Sequence, residues 1–340
     1  MKQKRIFVIG DDNIGWSISH DRYHLLRALN QLNVNLTKNP FMADIIYCVW
    51  WNLLDSWKYR FFRHKRIIAT VTNDLVHQTK ILNRIKSMVD IWVCANKKQM
   101  ETLLSEGVQG ENIKYSPFYV DESVFKSNNL NKLEIAKSLD IDYGLIDGKI
   151  LIGNFQRDSL GTDLTKPKWQ KDPDLLISVL KTLNSEDYLL VLAGPRRHYI
   201  IKQCEKYTIP YLFVGSLPPV KGGADDIRVN TLSLQKINML YNVIDIYMVS
   251  SKSEGGPKAV IESVLTKTSI LSTKVGMAPD LLEPFVLYDT KDEALEKIKM
   301  LTENAILRDK LISKNYENMA RVNSFSAYTD RIKQIIESIL

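Results

Sequence analysis

The sequence has little from which to build a disulfide framework, a metal centre or a membrane span. Its 340 residues hold three cysteines, Cys48, Cys94 and Cys204, an odd number set far apart in apolar surroundings. They are expected to be reduced thiols, and their spacing fits no zinc site. No apolar run approaches the roughly 18 residues that a spanning helix needs. The start, MKQKRIFVIGDD, turns acidic too soon for a secretory leader, so the expected location is the cytoplasm. A phosphate-binding P-loop and a nucleophile-elbow serine are both missing, which removes those two chemistries. The dinucleotide fingerprint is incomplete as well. In GDDNIG, Asp12 stands where a second glycine would let a pyrophosphate reach the backbone, which excludes a dinucleotide-dependent dehydrogenase. Gly10 and Gly15 then either turn the chain above a sheet or touch a substrate.

What is present is the composition of an ordinary folded protein, 45% hydrophobic and 25% charged, long enough for two domains. The net charge of +7 favours anionic partners, whether phosphorylated substrates, nucleic acid or lipid. Short apolar runs alternate with helical or loop sequence. Strands are expected at Arg5–Gly10, Ile45–Val49, Ile67–Val71 and Ile91–Ala95, with a helix over Ser19–Leu32. After a polar connection the alternation resumes at Lys149–Phe155. A helix over Pro173–Leu183, strands at Tyr188–Ala193 and Tyr211–Val214, a helix near Leu234–Tyr241 and a strand at Ile244–Val249 follow. This order predicts an α/β protein with two Rossmann-like domains, over 1–147 and 148–323. A last helix over 324–340 is expected to cross back to the first domain. Ligands of such sheets sit at the carboxyl ends of the strands, so the cleft between the two domains is the expected site.

The densest chemistry lies in Ser250 to Asp280, which reads as a loop, a helix begun by Pro257, a strand and a glycine turn. Glu254 precedes the Gly255-Gly256-Pro257 turn and Glu262 lies inside the helix. The first helical amides form a pocket for an anion or sugar hydroxyls. Taken alone, the two glutamates also read as a capping residue and a solvated helix residue. Upstream, Arg157 follows the strand ending in Gly153-Asn154-Phe155, and Lys171 precedes Asp172-Pro173-Asp174, a helix start with Asp172 as N-cap. The two cations are placed to clamp a diphosphate. Gly194-Pro195-Arg196-Arg197 is either a further ligand contact or a plain turn with solvated arginines. Capping accounts for Asp172 and Asp174 without a metal.

Ser56–Arg66, SWKYRFFRHKR, interleaves Trp57, Tyr59, Phe61 and Phe62 with Lys58, Arg60, Arg63, Lys65 and Arg66. Such a stretch suits docking on anionic lipid or on a nucleic-acid strand. A partly buried helix with a solvated basic face reads equally well.

The stretch SSKSEGGPKAVIESVLTKTSILSTKVGMAPDLL resembles the donor-binding segment of the retaining GT-B glycosyltransferases of family 4, whose E-x7-E motif matches Glu254 and Glu262. IGNFQRD, KDPDLLI, LLVLAGP, YLFVGSL and LYNVIDIYMVSSKSEGG follow that family's order, and DIWVCANKKQMETLLSEGV with YSPFYVDESVF resembles the end of its first domain. The resemblance is dense after Lys149 and thin before Ile91. It implies a GT-B fold, with two Rossmann-like domains whose parallel sheets face across a cleft, and a metal-independent hexosyltransferase without a cofactor. The co-substrate would be a nucleoside-diphosphate sugar, and the acceptor a glycan or a lipid-linked molecule. By the same resemblance Arg157 and Lys171 bind the diphosphate and Glu262 the ribose hydroxyls. Glu254 with Gly255, Gly256 and Pro257 holds the donor sugar, and Lys258 and Gly194 complete the donor site.

The family often places a sugar-contacting histidine after the strand corresponding to Ile67–Val71. Here Asn73 stands there, with His20 and Gly15 as further candidate contacts. The protein is then expected in the cytoplasm, at the inner face of the membrane where Trp57 to Arg66 docks it, and nucleic acid is not its expected partner. A sugar-nucleotide epimerase of similar build, and a scaffold that only binds the nucleotide, are the competing readings.

Overall fold

The computed structural model describes residues 4–12, 15–216 and 225–340. The chain packs as two compact units. One comprises Met1–Tyr119, Glu254–Gly256 and Arg321–Leu340; the other comprises Val120–Ser253 and Pro257–Ala320.

The first unit holds a parallel sheet of β1 (Ile6–Ile9), β2 (Ile45–Cys48), β3 (Arg66–Val71), β4 (Ile91–Cys94) and β5 (Ile113–Tyr115), in that spatial order. Parallel strands are covered on both faces and so read as continuous apolar runs. Here successive side chains separate cleanly: Ile46, Cys48, Ile67, Ala69, Trp92 and Cys94 enter one core, while Ile45, Tyr47, Ile68, Ile91 and Val93 enter the other. The second core is closed by α1 (Ser17–Gln31), through Leu25, Ala28 and Leu29, and by the C-terminal helix Phe325–Glu337, through Tyr328, Ile332, Ile335 and Ile336. The spacing of those four residues is one helical face, which is why this last helix seats on the sheet. A bridge between Ile6 and Leu36 flanks β1 on the side away from β2. The winding therefore reverses at β1.

The second unit has six parallel strands: β6 (Ile150–Asn154), β7 (Tyr188–Ala193), β8 (Tyr211–Val214), β9 (Ile246–Val249), β10 (Ser269–Thr273) and β11 (Leu287–Tyr288). Their spatial order is β11-β10-β9-β6-β7-β8. The chain winds outward from β6 through β7 and β8, then returns to lay β9 on the other flank of β6. A switch point of this kind opens a crevice beyond the carboxyl ends of the two strands concerned. Those ends are Asn154 of β6 and Val249 of β9, registered through Ile152 with Ile246 and Gly153 with Tyr247.

Candidate functional site

The loop after β9, Ser250–Ser253, lies at this switch point and is bonded to the neighbouring loops on both sides. Lys252 N and Ser253 N donate to Gln170 O at 2.8 and 3.2 Å, and Ser250 Oγ donates to Lys171 O at 2.9 Å. Ser251 Oγ donates to Gln156 Oε1 at 3.1 Å, and Thr273 Oγ1 donates to Ser251 O at 2.6 Å. The segments carrying Arg157 and Lys171 are thereby fixed to one scaffold, although 13 residues of sequence separate the two cations. Both side chains are half-buried.

Asp172 occupies the N-cap position of α5, which with α2 (Thr79–Ile85), α3 (Lys97–Ser105) and α4 (Lys132–Ser138) continues the numbering and spans Pro173–Leu180. It does not cap with its side chain. Its backbone is left-handed, φ 41°, and its carboxylate instead pairs with Lys252 Nζ at 2.9 Å. Asp174 accepts from Tyr199 Oη at 2.6 Å. Capping, the expected role of the pair, is replaced by these two contacts. Among the described residues no group of three or more His, Cys, Asp or Glu side chains is arranged to hold a metal ion.

The turn Gly194–Arg197 corrects the expectation of solvated arginines. Arg197, at the start of α6 (His198–Tyr207), is only 1% exposed, and Arg196 is half-buried and paired with Asp225. Arg197 Nη2 donates to Asn154 Oδ1 at 2.7 Å, and its Nε lies 3.3 Å from Asp158 Oδ2. Burial lowers the pKa of the guanidinium and raises that of the carboxyl, and each is opposed by the other's charge. Asp158 Oδ1 accepts from Ile200 N at 3.2 Å, so the N-terminal amides of α6 are served by the residue next to Arg157. Gly194, buried at φ 84°, makes the left-handed step that brings the chain back toward Phe155.

Beyond the loop, and after α7 (Ile227–Asn230) and α8 (Leu234–Val243), α9 spans Lys258–Leu265. Pro257 is its N-cap rather than its first helical residue, and no side chain caps the start. In the first unit, by contrast, Asp12 carboxylate oxygens accept from Trp16 N, Ile18 N and Ser19 N at 3.1, 3.0 and 3.3 Å. That helix start is served by a carboxylate of its own chain.

Glu262, one turn into α9, is half-buried rather than solvated, and Tyr241 Oη donates to its Oε2 at 2.9 Å. Tyr241 stands in an aromatic cluster, 5.1 Å from Phe155 and 5.0 Å from Tyr247. Desolvation raises the Glu262 pKa, against the Tyr241 hydrogen bond and the Lys258 charge one turn earlier. The sequence did not reveal Tyr241. Its only trace was an aromatic residue in the helix that precedes β9.

Glu254, Gly255 and Gly256 count with the first unit. Gly255 O accepts from Asn96 Nδ2 and, at 3.4 Å, from Gln99 Nε2. A Cβ on Gly255 would stand 2.5 Å from Asn73 N and against the Thr72 carbonyl, both of them backbone. Gly255→Ala is therefore expected to cost about 1 to 3 kcal/mol, as overpacking does, read as a lower urea midpoint. Asn73 Oδ1 accepts from Trp51 Nε1 at 2.6 Å and Asn73 Nδ2 donates to Asn52 Oδ1 at 3.2 Å. Gly15 is exposed at φ 72°, and His20 is half-buried in the first turn of α1.

By sequence, no family model and no curated protein matches the chain. By fold, it is similar to the Anabaena protein HepE solved with UDP and glucose, at 12% identity and a TM-score of 0.75, over 98% of this chain and 100% of that one. It is also similar to sucrose-phosphate synthase from Thermosynechococcus elongatus, at 13% identity and a TM-score of 0.73, over 98% of both chains. A glycosyltransferase from Rickettsia africae is 14% identical with a TM-score of 0.67, over 99% of this chain and 100% of that one. At these identities the similarity establishes architecture: two parallel-sheet α/β domains of the GT-B type.

Proposed function

We propose that the chain is a glycosyltransferase of the retaining, metal-independent kind, moving a hexose from a nucleoside-diphosphate sugar to a glycan or lipid-linked acceptor. One observation carries this reading. The Ser250–Ser253 loop, at the switch point of the second sheet, holds the segments bearing Arg157 and Lys171 and leads into a helix start that no side chain caps. In this reading Arg157 and Lys171 bind the diphosphate and Glu262 accepts from the ribose hydroxyls. Glu254 holds the donor sugar with the backbone of Gly255, Gly256 and Pro257. Lys258 and Gly194 border the same donor. The HepE structure with UDP and glucose makes UDP-glucose the first donor to try.

The reaction breaks the bond from the anomeric carbon to the β-phosphate oxygen, and the electron pair leaves on that oxygen. The acceptor oxygen bonds to the anomeric carbon on the same face, and its proton passes to the departing phosphate. Charge grows on the phosphate as the bond breaks, so fixed cations and helix amides placed there stabilise the transition state more than the ground state. In this reading Arg157 and Lys171 carry that duty.

Incubation with UDP-, GDP- and ADP-sugars and candidate acceptors, with the product's anomeric configuration read by NMR, tests the reading. Transfer with retention supports it. Turnover of donor alone, with deuterium entering the sugar ring from D2O, would identify an epimerase instead.

Glu262→Ala is expected to weaken nucleoside-diphosphate binding by about 1.5 to 3 kcal/mol for each charged hydrogen bond lost. The pH dependence has a definite sign. The ribose needs the ionised carboxylate, so affinity is full above the raised Glu262 pKa and falls away as pH drops through it, earlier than for an ordinary glutamate. Stability runs the other way. The folded chain holds this proton more tightly than the unfolded one, so the contribution of Glu262 is lost as pH rises through the same value. Calorimetric titration of the wild type and Glu262→Gln across mildly acidic pH checks both the affinity and its pH dependence.

A further inference from the structure

Two short turns of the first unit carry large apolar side chains into solvent. Pro40–Met42 leads toward β2, and Trp57–Phe62 precedes β3. Phe41 is 78% exposed, Met42 50%, Trp57 71% and Phe61 64%, and apolar side chains exposed together mark an interaction surface. The turns form one surface. The ring of Phe41 lies 6.5 Å from that of Phe62, which is buried in the core, and Lys65 Nζ donates to Phe41 O at 3.1 Å and Ala43 O at 2.5 Å. Trp57 meets Phe61 edge to face at 6.2 Å. Only the second turn was visible as a motif; the fold adds Phe41 and Met42 to it.

The charge beside these rings is of one sign. Lys58 and Arg63 are exposed, and Ser56–Arg66 contains no carboxylate. The flanking acids are taken elsewhere: Asp44 accepts from Arg5 N at 2.7 Å, and Asp55 accepts from Arg84 Nε at 2.7 Å and Nη2 at 2.5 Å.

We propose that this surface docks on an anionic phospholipid bilayer. Aromatic rings settle at the headgroup boundary, and lysine and arginine stems lie along the apolar layer with their charges among the phosphates. A second copy of the chain would set Lys58 and Arg63 against the same cations. A nucleic-acid strand would use the ring faces but leave Met42 without a role. Among the described residues no helix is long and apolar enough to cross a membrane, and the attachment proposed is interfacial and reversible. The proposal does not rest on the transferase reading.

Flotation of the full chain with vesicles of phosphatidylcholine alone, and of phosphatidylcholine with phosphatidylglycerol, tests it. Binding to the anionic vesicles only, released by high salt, is the expected result. Phe41→Ser with Trp57→Ser and Phe61→Ser is expected to weaken that binding at least about tenfold, by loss of buried apolar area. Lys58→Glu with Arg63→Glu is expected to remove the preference for anionic lipid. All five side chains are exposed, so thermal unfolding and nucleoside-diphosphate binding should not change. Equal binding to both vesicles, no binding, or unaltered binding by the variants would overturn the proposal. So would a dimer lost with the aromatic substitutions, or tight binding of single-stranded oligonucleotide at this surface in place of vesicles.

Discussion

Replacing Arg157 and Lys171 together by alanine is expected to lower the turnover of sugar transfer by about a thousandfold or more, with a much smaller rise in the donor KM. Removing one preorganised donor from a developing anion typically costs on the order of 100- to 1000-fold in turnover. Here two cations would go at once. The asymmetry between turnover and KM follows because the phosphate gains charge only as the glycosidic bond breaks. Two bonds that fasten these segments should survive the change. The bond that fastens the Lys171 segment runs from Ser250 Oγ to a backbone carbonyl, and the bond beside Arg157 runs from Ser251 to Gln156, so neither uses the substituted side chains. A double variant that unfolds like the wild type and transfers sugar at the wild-type rate would remove both residues from the chemistry.

The largest expected effect on stability lies behind the site. Arg197→Met removes one partner of a buried ion pair and leaves Asp158, 2% exposed, without its countercharge. Breaking such a pair costs about 3 to 5 kcal/mol, because the remaining charge cannot regain water. In a unit of this size that is on the order of 10 °C in the unfolding midpoint. Arg197→Met with Asp158→Leu should recover part of the loss, since no charge is then stranded. Scanning calorimetry of the two variants checks this: the double variant must unfold above the single one. The pair also links the residue after Arg157 to the end of β6 through Asn154. The single variant should therefore lose transfer activity at temperatures where it is still folded.

The sequence made some of this legible. Strands flanked by cover on both sides must be apolar throughout, so IIYC, IIATV and IWVC announced themselves, and the alternation with helices implied parallel sheets. The spatial order of the strands has no such local signature, and it is this order that puts Arg157 and Ser250 at one switch point. The burial of Arg197 has no local signal, because a GPRR turn looks solvated and its partner Asp158 lies 39 residues away. Asp172 has the residue type of a cap, but its left-handed backbone turns the carboxylate to Lys252 instead. The bond from Asn96 to Gly255 spans 159 residues, and no local pattern of either segment implies it.

The carboxyl ends of β6 and β9, with the start of α9, are expected to bind a nucleoside diphosphate. Hydrogen exchange of the backbone amides, with and without saturating UDP, GDP or ADP, tests that claim most directly. Slowed exchange confined to the segments around Arg157, Lys171 and Pro257–Glu262, with none at the Asp12-filled start of α1, is the predicted result. Protection by every nucleotide tried at some other segment, or at none, would contradict it.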